Sequence, residues 1–116
     1  MLDREAIEHI QLIKDMANFV WGTQCRFGEV QVMEAPFSMF LLPLCLYDQF
    51  NIKLNYDRST LSIDVPTQDG YKVLSRAAKE KVFRGFDGLV PANLLHNFKV
   101  LDQFIRGNEF SEQKVD

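Results

Sequence analysis

The amino-acid sequence predicts an α+β domain, a small antiparallel sheet covered by an N-terminal helix and two C-terminal helices, on three observations. A long amphipathic stretch opens the chain, two runs of strict apolar–polar alternation occupy 52–57 and 60–65, and a second amphipathic stretch follows Pro91. With 116 residues, 47% of them apolar and ten of them Phe, the chain suits one packed domain rather than two. That domain is expected over 1–107, with a loose acidic tail over 108–116.

The first element is a helix from Asp3 to Trp21. Asp3 suits the cap, Glu5 and Glu8 favour the positive N-terminal end, and Gly22 follows as a stop. Ala6, Ile7, Ile10, Ile13, Ala17, Val20 and Trp21 share one stripe at helical spacing. Leu12, Met16 and Phe19 fall outside it, on a second apolar flank. Either another element covers that flank or it is a surface for self-association into a homodimer.

Phe27 to Glu34 reads as a strand, with Val30 and Val32 on one face and Glu29 and Gln31 on the other. Ala35 to Phe50 is apolar without a clean period. A short buried helix bent at Pro43 is the expected form, with two short buried pieces as the alternative. Ile52–Asp57 and Thr60–Val65 form a hairpin. Setting Tyr56 against Leu61 also sets Leu54 against Ile63, Ile52 against Val65, and Lys53 against Asp64 on the wet face. Residues 71–84 have helical spacing, Gly85 and Gly88 bracket a turn, and Pro91 suits the first position of a last helix. Leu94, Phe98, Leu101 and Ile105 are its buried stripe, and Gly107 is expected to close it.

Charge is unevenly spread. Residues 1–70 hold ten acids and five bases, 71–107 hold seven bases and three acids, and the whole chain is −3. On a helical reading Lys72, Arg76 and Lys79 fall on one sector with Phe83, and Arg84 follows before the turn. Bases around an aromatic suit an acidic protein surface with an apolar anchor, or a phosphate backbone with a stacking base. The bland alternative is a solvated helix face, with Glu80 pairing to Arg76 and Phe83 folded inward. Gly85-Phe86-Asp87-Gly88 has the glycine spacing of the GXXG loop of KH nucleic-acid domains, but its Asp87 would repel phosphate.

Catalytic patterns are sparse. Two histidines and two cysteines show no zinc-ligand spacing, and no HExxH, Gly-x-Ser-x-Gly or phosphate-binding glycine loop occurs. Glu5 and His9 share a helix face but lack a third ligand. Cys25 stands beside Arg26, the one thiol with a cation next to it in sequence; a pocket near Cys25 and His9 is the enzyme or ligand-binding alternative. Otherwise both thiols are expected reduced, with Cys45 buried. The longest apolar run, Phe37 to Tyr47, falls well short of the ~20 residues that span a bilayer, and no leader pattern opens the chain.

These readings lead to a small cytoplasmic protein-binding or regulatory domain. Adaptor and inhibitor types fit, including accessory proteins of phages and mobile elements. No catalytic residue, cofactor or metal is assigned. The partner surface is Lys72, Arg76, Lys79, Phe83 and Arg84, directed at an acidic protein, with nucleic-acid binding through the basic helix 72–84 as the alternative and no membrane contact.

Overall fold

The middle of the chain forms strands almost without interruption, because its apolar residues alternate or run in both-face-apolar segments that suit a sheet. The computed structural model describes residues 4–33, 39–57, 60–83 and 89–115. Helix α1 (Arg4–Trp21) leads through a 3-10 turn (Gly22–Gln24) into β1 (Cys25–Phe27) and β2 (Gln31–Met33). Strands β3 (Met39–Leu46), β4 (Phe50–Asp57), β5 (Thr60–Thr67) and β6 (Gly70–Val73) follow, then the short α2 (Leu74–Ala78) and the long α3 (Pro91–Val115). One six-stranded antiparallel sheet results, in the order β1-β3-β4-β5-β6, with β2 beside β1 on the same edge of β3.

The core lies on one face of this sheet. Phe40, Leu42, Leu44 and Leu46 of β3, Ile52, Leu54 and Tyr56 of β4, and Leu61, Ile63 and Val65 of β5 meet Ala6, Ile10, Ile13, Ala17 and Trp21 of α1 and Leu94, Phe98, Leu101 and Ile105 of α3. Fully burying each large side chain contributes about 1.5–3 kcal/mol. The stripes of both long helices are thus used as their spacing requires, except that Ile7 is 52% exposed. The hairpin has the expected register, with Tyr56 opposite Leu61, Leu54 opposite Ile63 and Lys53 opposite Asp64.

Five expectations are corrected. Residues 39–46 are a strand, not a bent helix. This strand is central, and its outer face carries Met39, Leu41, Pro43 and Cys45, all half-buried, so no polar alternation marks it. Pro43 is tolerated there because its missing N–H falls in the gap between β1 and β2, where its carbonyl accepts from Gly28 N–H at 3.0 Å. The backbone approaches so closely that a Cβ on Gly28 would lie 3.0 Å from the Pro43 Cβ. That gap is also why the expected strand 27–34 is two short strands.

Residues 71–84 are not one helix. Gly70, at φ +98, closes a turn that returns Tyr71–Val73 to the sheet as β6, and helical structure lasts only from Leu74 to Ala78 before Lys79 at φ 56 ends it. Helix α3 does not stop at Gly107 but runs on to Val115, since a glycine weakens a helix by about 1 kcal/mol without removing any backbone bond. Finally, Cys25 is the buried thiol and Cys45 the half-buried one. They sit on opposite faces, because Cys25 pairs with core Leu46 while Cys45 pairs with Arg26 on the outer side. Asp3, Arg84 and the expected turn between Gly85 and Gly88 lie outside the described residues.

Candidate interaction surface

Strand β6 ends the sheet, and α2 leaves directly from it. The basic residues predicted to form a helical sector are therefore carried on three successive pieces: Lys72 on β6, Arg76 on α2 and Lys79 at its left-handed end. All three are exposed, and so is Lys81 just beyond, which the helical reading had left out of the sector. Lys72 pairs in register with buried Val65, which turns it toward the helix-bearing side at the edge. Its ammonium lies 3.5 Å from the Asp69 carboxylate, across side chains 43% and 81% exposed. A pair so wetted contributes at most about 1 kcal/mol and leaves the lysine available.

Phe83 is not offered outward as an anchor. It is half-buried; its ring meets His96 edge-on at 5.3 Å and Lys81 Nζ at 5.0 Å. Its backbone is clamped by Asn97, which is 1% exposed. Phe83 N–H donates to Asn97 Oδ1 at 2.8 Å, and Asn97 Nδ2 donates to the Phe83 carbonyl at 3.0 Å. His96 Nε2 adds a bond to the Lys81 carbonyl at 2.9 Å. These contacts fasten residues 81–83 to α3. They hold Lys81 and Phe83 against α3, next in the chain to the basic elements.

The other predicted sites lie on α1 and β1. Leu12 and Met16 are half-buried and pack against the core, which leaves Phe19, 77% exposed, as the outlying member of that flank. His9 packs its ring against Tyr56 with centroids 5.0 Å apart. The Cys25 thiol lies 3.4 Å from both Asn18 Oδ1 and the Gly22 carbonyl, and burial pushes its pKa up, the opposite of an activated thiolate. Among the described residues no three His, Cys, Asp or Glu side chains gather to hold a metal, and no helix is long and apolar enough to cross a membrane. The cleft between β5, β6 and α2 has about 10 Å³ of free volume, room for one water.

A polar cluster that sequence reasoning missed surrounds the β3–β4 turn. Asp102 of α3 accepts from Trp21 Nε1 at 3.0 Å, from Arg106 Nε at 2.8 Å and from the Tyr47 hydroxyl, which itself accepts from Arg106 at 3.2 Å. Tyr47 and Asp48 form the β3–β4 turn, both at φ 55, with Gln49 N–H donating to the Leu46 carbonyl at 3.1 Å. Two successive left-handed residues suit glycine, asparagine or aspartate, and here only Asp48 is of that kind. Tyr47 N–H donating to Gln24 at 2.8 Å, Arg26 against Asp48 at 2.5 Å, and Asp102 together hold this strained turn. One signal was available, the i,i+4 spacing of Asp102 and Arg106.

Burial acts to raise the Asp102 pKa, but the bonds from Tyr47, Trp21 and Arg106 outweigh it and hold the carboxyl below the usual range. The cluster therefore stabilises the fold fully above the unfolded-state pKa of about 4 and loses that contribution as pH falls through the lower folded value. Chemical denaturation of wild type and Asp102→Asn should show a stability gap at neutral pH that narrows under acid. A gap constant down to the acid limit would assign the cluster no role in pH dependence.

Comparison of the chain with protein-family models, with curated proteins and with solved structures finds no match in any of the three. Fold and surface chemistry are therefore the whole basis for function.

Proposed function

We propose that the chain is a small cytoplasmic protein-binding domain, of adaptor or inhibitor type, that docks an acidic protein surface through the end formed by β6, α2 and residues 79–83. Accessory proteins of phages and mobile elements are the kind of protein this suits. The observation that carries the reading is the placement of Lys72, Arg76, Lys79 and Lys81, all exposed, on consecutive segments of a chain whose net charge is −3. Like charges so gathered repel one another, and an acidic partner relieves that repulsion. The two free cysteines suit a reducing compartment. Phe83 supports a protein more than a nucleic acid, since its ring is taken up by His96 and Lys81 rather than open to a stacking base.

Capture from lysate with nuclease present, followed by mass spectrometry, tests this. The Lys72→Gln, Arg76→Gln, Lys79→Gln triple variant should fold as wild type and bind the captured partner roughly tenfold more weakly at low salt, with a shallower salt dependence. Equal binding by the variant would reduce the basic end to a solvated surface. Capture abolished by nuclease would favour a nucleic acid.

A further inference from the structure

We propose that the free edge of β6 takes up an extended acidic segment of the partner as an added antiparallel strand, an inference that rests on the basic end being the docking surface. Among the described residues strand β6 pairs only with β5. A two-residue turn, Gln68–Asp69, joins the two strands, so Thr67 and Gly70 are the closing hydrogen-bonded pair and the alternation of an antiparallel ladder follows. Lys72 then spends its backbone groups on Val65. The N–H and C=O of Tyr71 and the N–H of Val73 point outward. Among the described residues no backbone bond outside the regular elements reaches them. Gly70, Tyr71 and Lys72 are exposed. An extended segment pairs with such an edge through main-chain bonds, and its alternate side chains give selectivity.

The charges on the two sides of the edge set what that segment must be. On the helix-bearing side stand Lys72, Arg76 and Lys79. On the opposite side Lys53 lies 4.1 Å over the Tyr71 ring, and the Tyr71 hydroxyl donates to the Asn51 carbonyl at 3.1 Å. That carbonyl lies where the β4–β5 register, continued by two residues, meets Pro66, which has no N–H to give, so the tyrosine is held in place by the fold. Successive side chains of an added strand point to opposite faces, so acids on the helix-bearing face would meet Lys72 and those beside Tyr71 would meet Lys53. The Asp64 carboxylate opposite Val73 is taken up by Asn55 and Ser62. A second copy of this chain would instead set Lys72 and Arg76 against the same bases, a repulsion that natural edges use to prevent self-pairing. The acidic partner is therefore the occupant.

Val73 makes a selective test available. Its φ of −64 and ψ of 143 are those of a proline in an extended chain, so Val73→Pro removes the outward N–H while leaving the backbone path unchanged. The probe is a capped synthetic peptide of alternating Glu and Val, titrated into the isotope-labelled full chain and followed by amide NMR. Shifts and exchange protection should centre on Tyr71 and Val73. Binding should weaken roughly tenfold in Val73→Pro, and equally in wild type when the peptide is N-methylated at alternate residues. Should Val73→Pro lose its fold, the N-methylated peptide on wild type decides alone. If Val73→Pro and the methylated peptide bind as well as their parents while the triple Gln variant does not, strand addition is overturned and the acidic docking surface stands. If the triple variant also binds unchanged, both readings fall. No binding of the alternating peptide, or a concentration-dependent dimer that Val73→Pro abolishes, overturns the acidic strand in favour of a protected or self-pairing edge.

Discussion

Phe98→Ala is expected to destabilise the domain by about 4 kcal/mol, the largest effect of any single change considered. Phe98 is 0% exposed and stands where α3 meets the end of α1, its ring 5.0 Å from Trp21 at a tilt of 45°. Truncation removes the transfer free energy of the ring and leaves a cavity between two helices that the sheet holds from below. It also removes the packing that orients Trp21, whose indole N–H donates to Asp102. The midpoint of denaturant unfolding should fall with little change in slope. A loss under about 1 kcal/mol would mean that α3 is not packed on α1 as described, since even partial collapse of such a site leaves a larger effect.

Asn97→Ala comes next, at about 3 kcal/mol. A buried polar side chain is tolerable only when its groups are paired, and Asn97 meets this requirement through the Phe83 N–H and C=O. Alanine would orphan both of those backbone groups and leave space in the helix–loop contact; each unsatisfied group costs about 1–3 kcal/mol. Asn97→Asp keeps one acceptor but turns an anion toward the Phe83 carbonyl, and should be no better tolerated. Residues 81–83 should then lose protection from amide exchange while the β3–β4–β5 ladder keeps it. Because this clamp holds Lys81 and Phe83 against α3, next in the chain to the basic elements, Asn97→Ala should also weaken partner binding without removing a charge. Protection unchanged at 81–83 would deny the clamp its role.

The parts of the fold that could be read from sequence are those where two independent constraints agree. The β4–β5 register was legible because apolar pairs on one face and Lys53 with Asp64 on the other demand the same alignment. The stripes of α1 and α3 were legible because each helix buries one side only. Strand β3 was not, for the opposite reason: an apolar run flanked on both edges and half-covered on its outer face has no period to read, and Pro43 suggests a bend. Over 71–84 the helical spacing of Lys72, Arg76 and Lys79 was coincidental. The better local signal was the turn Thr67-Gln68-Asp69-Gly70 followed by β-favouring Tyr71 and Val73.

Of the candidate surface, the location of the charge was legible and its scaffold was not. Charge counts show where bases accumulate along the chain, but whether they share a face depends on pairing with β5, a contact the basic segment itself does not encode. The Asp102 cluster was hidden for a similar reason. Asp102 and Arg106 are one turn apart, while Tyr47 and Trp21 reach them from distant parts of the chain. A turn with two positive-φ residues and no glycine has no local signature.

The most direct measurement of the central claim is an amide NMR titration of the full chain with polyglutamate, set beside the same titration with a random single-stranded oligonucleotide. If the β6–α2 end is the docking surface for acidic protein, polyglutamate should shift amides over 70–82, leave α1 and the β3–β4 hairpin undisturbed, and lose its effect in the Lys72→Gln, Arg76→Gln, Lys79→Gln variant. Shifts centred instead on Lys14, Arg26 or Arg106, or a response to the oligonucleotide alone, would contradict the account.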